Sequence, residues 1–394
     1  MKKYKIGIWG QFGGKKAADG QAIKTRTIHD LLKKHYGNEN ITIASTYNWK
    51  KRPFRFFFQT INLYFKSKNI FILPANNGLK VISKLYNFLS FFAKRKIIYI
   101  VVGGSLPIFL SKNKKYVRYL NKYEVLLVQS HKQVEELQDI GLKNVKYFPN
   151  FKNIAPIEKL TSLDGINLKS LCFFSRVAYD KGIEYAIEAV KKLQEKSDFI
   201  LDVYGKIAPE YEERFNELLE KHKGYVFYKG IADFDKTTSL LKTYLCMLFP
   251  TFYVGEAHPG VIIDSYLSAL PIIGTNWRFN SEFILDGFNG FLVPIKNVDD
   301  IVSKVMLLYS NPEKMLQMRN NALSLSKEYN PDELFKKKIV HLVDYFVSVI
   351  LNDKMYFGIN KNSTKFLSST IENLNELLKN KINKSFYWIN IFFV

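Results

Sequence analysis

The hydrophobic positions of this chain form short apolar runs that alternate with amphipathic stretches of helical length. In the first half, apolar runs typical of buried strands are separated by helical patterns such as 23–35 and 79–93. Strands joined by segments of that length form βαβ units, and therefore a parallel sheet. Strands are predicted in this half at 4–9, 41–47, 70–73, 96–102, 125–129 and 145–148.

The same alternation restarts after a mixed stretch at 150–167, which contains Pro156 and Gly165 and is typical of a linker. The pattern predicts an α/β protein with two Rossmann-like domains, 1–155 and 168–330, whose parallel sheets face each other across a cleft. Residues 331–394 are predicted to add a helical segment and an aromatic tail. The second series of strands is predicted at 171–175, 199–204, 226–228, 246–249, 271–274 and 290–293.

The excess positive charge lies almost entirely in the first domain. The formal net charge is +22; residues 1–150 contain 28 Lys and Arg against 7 Asp and Glu, whereas residues 151–394 contain 30 against 29. This asymmetry favours binding to an anionic surface. Residues 49–68 join a basic cluster to an aromatic amphipathic helix, which suits a bilayer interface, and no nucleic-acid recognition motif accompanies the charge. We therefore expect the first domain to dock on an anionic membrane; the alternative is that its Phe residues are ordinary core.

The cysteines and the hydropathy predict a cytoplasmic protein that lies peripherally on the inner face of the cell membrane. Cys172 and Cys246 lie in apolar runs, so they are expected to be free buried thiols of a reducing compartment. The apolar run after Lys3 is interrupted by Gly7 and is too short for a signal peptide. No apolar run reaches the length needed to span a bilayer.

The stretch from Gly255 to Asp264 predicts an anion site with hydroxyl-binding acids beside it. It follows an apolar strand and places Pro259 and Gly260 at the start of a helix. The free amides of that helix start, at Gly260 and Val261, favour a phosphate. Glu256 in the loop and Asp264 one turn into the helix supply carboxylates that accept hydrogen bonds from a vicinal diol. A phosphate between such acids indicates a sugar nucleotide.

A second motif at the end of the 171–175 strand supplies cations. Arg176 and Lys181 follow this strand, and Gly182 opens the next helix. Two cations at a helix start suit a diphosphate, because charge-assisted hydrogen bonds to phosphate are strong. A third glycine-containing loop, with Gly13 and Gly14, follows the first strand. It is neither a dinucleotide-binding fingerprint nor a P-loop.

Together these motifs resemble those of the family-4 glycosyltransferases, which have the GT-B fold, and in particular the members that build bacterial surface and capsular polysaccharides. The likeness rests on a Glu, seven residues and a second acid in a Pro-Gly loop, and on Arg176 and Lys181-Gly182 as the phosphate-binding pair. Asp264 stands where the family has Glu, so its contact to a ribose would be longer or pass through water.

The resemblance implies transfer of a sugar from a nucleoside-diphosphate donor, with UDP favoured, to a hydroxyl with retention of configuration. It implies that the departing phosphate takes the acceptor proton, and that the enzyme needs neither a metal nor another cofactor. Glu256 would bind the donor sugar and Asp264 the ribose, while Arg176 and Lys181 would bind the diphosphate as leaving group. In related proteins a C-terminal helix also crosses back to the first domain.

Further positions are carried over from the same resemblance. Gly13 and Gly14 would close over the diphosphate, and the backbone of Ile231 would contact the base. His258 would lie near the sugar or the acceptor. Relatives carry a sugar-binding His where this chain has Gly103 and Gly104, so no catalytic His is carried over; His131 either lines the cleft or is structural.

The sequence thus predicts a glycosyltransferase that acts on a saccharide or lipid-linked saccharide acceptor at the membrane. Two alternatives remain open: a sugar-nucleotide epimerase of the same fold, and a non-catalytic relative that binds sugar nucleotide or membrane. Asp233 and Asp235 imitate a metal-binding Asp-x-Asp motif, but they precede a predicted helix, where acids are favoured in any case. No metal site is therefore predicted.

Overall fold

The computed structural model describes residues 4–13, 20–152 and 158–344. It contains two parallel six-stranded sheets, with strand orders β2-β1-β3-β4-β5-β6 and β12-β11-β10-β7-β8-β9. Each strand predicted from the sequence is present, and the two-sheet α/β architecture is confirmed. The strands are β1 Tyr4–Gly10, β2 Ile41–Ser45, β3 Ser67–Leu73, β4 Lys96–Ile100, β5 Val125–Val128, β6 Val145–Tyr147, β7 Asn167–Phe174, β8 Ile200–Tyr204, β9 Val226–Gly230, β10 Tyr244–Phe249, β11 Ile272–Thr275 and β12 Gly290–Val293.

Helices connect the strands and cover both faces of each sheet. The α-helices are α1 Gly20–Tyr36, α2 Pro53–Lys66, α3 Asn76–Leu89, α4 Leu106–Lys112, α5 Lys115–Leu120, α6 His131–Asp139, α7 Ile183–Gln194, α8 Glu212–Lys221, α9 Thr237–Leu241, α10 Gly260–Leu267, α11 Val298–Tyr309, α12 Pro312–Leu325, α13 Pro331–Phe335 and α14 His341–Val343. Single turns of 3₁₀ helix lie at Asn38–Asn40, Trp49–Lys51, Tyr179–Lys181, Pro209–Tyr211, Phe234–Lys236, Asn280–Glu282 and Ser326–Tyr329, and a π turn at Lys336–Val340.

Each sheet carries its own hydrophobic core because helices cover it on both sides. Every residue of β10 is buried, as expected for a central parallel strand, and the inner residues of β1 are buried likewise. The connection from β1 to β2 runs in the opposite direction across the sheet to the later connections. Since such crossovers are right-handed, α1 covers one face of the first sheet, and α2 and α3 cover the other.

Both sheets belong to one compact unit, Met1–Phe335, and a second unit begins at Lys336. Near the end of the first unit, Asp332 of α13 pairs with Lys34 of α1 at 2.7 Å, and Phe335 stacks on His35. The helical segment predicted within 331–394 begins as α13, the π turn and α14, and the residues after 344, including the aromatic tail, lie outside the described residues. Among the residues searched, no helix is both long and apolar enough to cross a membrane.

Candidate active site

A buried ion pair between Lys181 and Glu256 lies at the carboxyl edge of the second sheet. Lys181 ends the turn after β7 and Glu256 lies in the loop after β10; these strands are neighbours, so their following loops meet. The side chains of Lys181 and Glu256 are only 12% and 7% exposed. Thr251, just beyond β10, donates a hydrogen bond to the same Glu256 oxygen at 3.2 Å. The carboxylate is therefore fixed by two partners and largely screened from solvent.

Arg176 joins this pair through the ring of Tyr253. The Lys181 ammonium lies 4.5 Å from the ring centroid, and the Arg176 guanidinium carbon lies 5.8 Å from it. Arg176 is half exposed and lies 3.7 Å from the Asp180 carboxylate. The structure thus brings together Arg176, Lys181 and Glu256, three groups that the sequence predicted to share a site. Two cations beside one acid can bind a diphosphate and a sugar hydroxyl at the same time.

Asp264 faces a different partner, Lys152, which lies after β6 in the connection between the sheets. The two side chains form an ion pair. Burial raises the pKa of the Asp264 carboxyl, while the Lys152 ammonium acts in the opposite direction. Gly260, Val261 and Asp264 line an interdomain cavity of about 580 Å³ together with Lys24, Lys152 and Phe174. The helix start and the second acid therefore border one space large enough for part of a nucleotide.

His258 is buried beneath this loop rather than exposed in the cavity. Its ring stacks on Phe283 with 3.8 Å between centroids, and its Nδ1 accepts the Asn150 backbone N–H at 3.3 Å. Burial lowers the pKa of His258 well below its usual value, and the nearby Lys24 ammonium lowers it further. Among the described residues its Nε2 has no hydrogen-bond partner. His258 therefore anchors the chain after β6, and a contact with sugar or acceptor stays a prediction.

The first domain touches the Glu256 loop through Gly103 and Gly104, beyond β4. The Gly104 N–H donates to the Gly255 carbonyl at 2.8 Å. A Cβ atom at Gly104 would overlap the Glu256 carbonyl oxygen, so a side chain does not fit there. Arg278 donates to the Gly104 carbonyl at 3.1 Å and pairs with Glu136 of α6 at 3.2 Å. The glycines thus permit a backbone contact between the two domains at the predicted reaction centre.

A second interdomain contact caps helix α6. The Glu282 carboxylate accepts hydrogen bonds from the Ser130 hydroxyl and from the backbone N–H groups of His131 and Lys132, at 2.7–2.8 Å. A carboxylate at a helix N-terminus satisfies free amides and interacts favourably with the helix dipole. The His131 ring stacks on Tyr147 at 3.9 Å. The start of α6 is therefore already occupied by an acid of the second domain.

The remaining predicted residues are spread over other strand ends. Gly13 follows β1 with a φ of 68°, and Gly14 lies outside the described residues. Ile231 is exposed just beyond β9, the edge strand of the second sheet, two strands from β7. Asp233 and Asp235 lie at the turn that precedes α9. In the part of the chain that the structure describes, no group of three His, Cys, Asp or Glu side chains could hold a metal ion.

Several residues of the site were missed by the sequence reasoning. Thr251 and Tyr253 lie just beyond a strand that was predicted from the sequence, and this position could have identified them as candidate site residues. Lys152 and Glu282 left no such signal, because their partners lie more than a hundred residues away. Only the packing of one domain on the other reveals these contacts.

Comparisons with known proteins agree with this architecture. Residues 166–324 match the family described as Glycosyl transferases group 1. An uncharacterized glycosyltransferase of Methanocaldococcus jannaschii is 23% identical over 74% of this chain and 82% of its own length. The poly(ribitol-phosphate) α-N-acetylglucosaminyltransferase of Staphylococcus aureus is 23% identical over 57% of this chain and 45% of its own. The crystal structure of Anabaena HepE with UDP-glucose is 14% identical, covers 87% of this chain and 99% of that one, and has a TM-score of 0.67.

The fold is therefore that of a GT-B glycosyltransferase, with two Rossmann-like halves around the described site. The chain is a glycosyltransferase, and the match to the group 1 family covers its residues 166–324. The sequence prediction of the enzyme class is confirmed at this level. The roles of individual site residues stay predictions.

Proposed function

We propose that this glycosyltransferase transfers a sugar from a UDP-linked donor to a hydroxyl of a lipid-linked saccharide, with retention of configuration. The observation that carries the proposal is the cluster of Arg176, Lys181 and Glu256 at adjacent strand ends. UDP-glucose is bound by the similar Anabaena protein, and an N-acetylglucosamine transferase is among the relatives. These likenesses support a UDP-sugar donor.

The proposed chemistry uses the cluster for binding and charge stabilisation. The bond between the sugar C1 and the diphosphate oxygen breaks while a bond from the acceptor oxygen forms on the same face. The acceptor proton passes to the departing phosphate. Arg176 and Lys181 would stabilise the charge that develops on the leaving group. Glu256 is held by Lys181 and Thr251, which supports a role in positioning sugar hydroxyls rather than as a nucleophile.

The acceptor is proposed to bind on the first domain. A cavity of about 350 Å³ lies at the carboxyl ends of β3 and β4, and Asn76, Asn77 and Ser105 provide amide and hydroxyl groups on its wall. Ser105 directly follows Gly104, which touches the Glu256 loop. Polar groups of this kind bind sugar hydroxyls. The basic charge of the same domain supports docking at an anionic membrane, on its cytoplasmic face.

The test is transfer of radiolabel from UDP-glucose or UDP-N-acetylglucosamine to a lipid extract of the producing cells. We expect label in the lipid phase, release of UDP, and an anomeric linkage of the same configuration as the donor. Incubation with donor alone distinguishes an epimerase, which would convert the donor without an acceptor. Activity that is unchanged after EDTA treatment is expected for a metal-independent enzyme. Absence of transfer from either UDP-sugar and from the corresponding GDP- and ADP-sugars would contradict the proposal.

A further inference from the structure

The outer face of α2 carries an apolar stripe that is largely exposed in its first half, whereas Ile61 and Phe65 in its second half are partly buried. Counted from Phe54, the other members of the stripe lie four, seven and eleven residues further along the chain, which places all of them along one line of the helix. Phe54 is 79% exposed, whereas Leu63 and Tyr64 on the opposite side of the helix are buried in the core. The α2 stripe consists of Phe54, Phe58, Ile61 and Phe65.

Helix α3 carries a second stripe with the same spacing, which continues into the turn after the helix. Phe88 and Phe92 are 57% and 68% exposed, and their rings contact each other at 5.4 Å between centroids. Phe91 in the same turn is also largely exposed. The 79–93 stretch was predicted from the sequence only as a helix, with no surface role. The α3 stripe consists of Val81, Leu85, Phe88 and Phe92.

The two helices are joined side by side on the same face of the first sheet. Arg95, beyond the α3 turn, donates to the carbonyl oxygens of Tyr64 and Phe65 at 3.0 and 2.9 Å. The Tyr64 ring packs on Tyr86 of α3 with 4.9 Å between centroids, and its hydroxyl donates to the Ala93 carbonyl. The stripes therefore belong to one continuous surface, which we call the α2–α3 face.

The charge of the sequence segment that forms the α2–α3 face has a single sign. Between Glu39 and Glu124 the sequence contains sixteen Lys and Arg and no Asp or Glu. This segment includes both helices, with Arg55 on α2, Lys84 on α3 and Lys94 just beyond α3. Each basic residue near an anionic leaflet contributes roughly 1 kcal/mol to binding. An exposed aromatic surface on a segment whose charged residues are all basic complements an anionic bilayer.

We infer that α2 and α3 bind an anionic bilayer together, with the exposed rings of both stripes inserted at the headgroup level. This inference rests on the proposed membrane docking of the first domain and extends it from one helix to two. Contact through two joined helices fixes the orientation of the domain more firmly than contact through one, because the second helix restricts rocking about the axis of the first. A fixed orientation holds the cavity beside Ser105 at a set height above the membrane.

The test places a fluorophore sensitive to polarity on each stripe. Burial raises the thiol pKa of both Cys172 and Cys246, and neither side chain is accessible, so an introduced cysteine is the one that reacts. The labelled variants are Phe58→Cys on α2, Phe92→Cys on the α3 stripe and, as a control, Phe288→Cys in the second domain. Each is mixed with vesicles of phosphatidylcholine alone or of equal parts phosphatidylcholine and phosphatidylglycerol.

On anionic vesicles, we expect the labels at positions 58 and 92 to show blue-shifted emission and quenching by lipid-borne quenchers. The label at position 288 should show neither change. The unlabelled double variant, Phe88→Ser with Phe92→Ser, should bind these vesicles about tenfold more weakly, with an unchanged melting temperature.

A label at 92 that stays in water while the label at 58 inserts would overturn this inference and leave docking through α2 intact. If both stay in water, membrane docking itself fails, whereas sugar transfer is judged by its own assay. A shift that appears without vesicles and grows with protein concentration would assign the face to a second copy of the chain.

Discussion

The Lys181–Glu256 pair is the most informative feature at the scale of single residues. Burying two charges together is costly, and stability alone rarely requires it. Here the pair is aligned with the Thr251 hydroxyl and covered by the Tyr253 ring at the end of β10. In the proposed donor site, such an arrangement would hold an ammonium and a carboxylate in place before a substrate arrives, so that little reorganisation would be needed during reaction.

Replacing Glu256 by Gln should lower kcat/KM by about 10- to 100-fold, because a charged hydrogen-bond acceptor contributes roughly 1.5–3 kcal/mol. The measurement is the steady-state rate of UDP release in the presence of acceptor. Glu188→Gln is the matched control, since Glu188 lies on the surface of α7, where it pairs with Lys191. Equal rates for Glu256→Gln and Glu188→Gln would show that Glu256 lies outside the reaction.

The burial of His258 leads to a separate prediction, about how the stability of the protein depends on pH. Because burial lowers its folded-state pKa well below 6.5, its contribution to stability is present above pH 6.5 and is lost as the pH falls towards the folded-state pKa. The free energy of unfolding can be measured by urea unfolding at several pH values between 7.5 and 5. His258 should make this free energy fall by up to about 1.4 kcal/mol for each pH unit of acidification.

The variant His258→Asn isolates that contribution. Asn retains an acceptor for the Asn150 N–H but does not titrate in this range. The difference between wild type and variant should therefore shrink as the pH falls. His222, whose pKa burial also lowers, remains in both proteins and cancels from the comparison. A difference that is constant across the pH range would mean that His258 titrates normally in the folded protein.

The sequence was sufficient at this scale for some of the site residues that follow a strand, but not for Thr251 and Tyr253 beyond β10. Arg176, Lys181 and Glu256 could be grouped because parallel strands end at one edge of the sheet. The pairing of Asp264 with Lys152 could not be predicted, because it depends on how the connection after β6 lies against α10. Likewise, nothing in its local sequence indicated that Glu282 caps α6.

At the scale of elements, the loop after β4 joins the domains by direct contact of their backbones. In the sequence, Gly103 and Gly104 were notable only because they occupy the place where the resembling family carries a sugar-binding histidine. The structure gives a physical reason for glycine, since a side chain at Gly104 would overlap the Glu256 carbonyl. The positive φ of 82° at Gly103 adds a second requirement for glycine.

Gly104→Ala should therefore push the β4 loop away from Glu256. We expect at least about a tenfold loss of kcat/KM, because small displacements at a reaction centre are costly. The measurement combines turnover with the melting temperature. Gly141→Ala is a strain control: its φ of 104° makes a side chain unfavourable, but no backbone of the second domain lies close to it. Activity in Gly104→Ala equal to that of wild type would contradict the proposed contact with the reaction centre.

Periodicity predicted the strands well because buried parallel strands are continuous apolar runs. It was less successful for α3, which spans Asn76–Leu89 instead of 79–93. The apolar residues at 91 and 92 continue the helical pattern although the chain has already turned. Hydrophobic pattern alone does not distinguish a face that packs on the core from one that faces outwards, so the α3 stripe was visible only in the structure.

At the scale of the whole molecule, two sheets present their carboxyl ends to each other, and Arg176, Lys181 and Glu256 lie on the loops between them. The segregation of charge follows this division, since the second domain is nearly neutral and the first is strongly basic. The architecture and enzyme class could be predicted because they depend on motifs and strand order. The identity of the sugar and acceptor could not, because these depend on side chains converging from both domains.

The central claim is that Arg176, Lys181 and Glu256 form the site for a nucleoside-diphosphate donor. The most direct test is titration calorimetry of UDP with the wild type and with Lys181→Met, which removes the ammonium and keeps most of the side-chain volume. We predict saturable binding to wild type and at least about tenfold weaker binding to Lys181→Met, the loss expected for a charge-assisted contact. Lys191→Met, on the surface of α7, should bind UDP as wild type does. Equal UDP affinity in wild type and Lys181→Met would contradict the account.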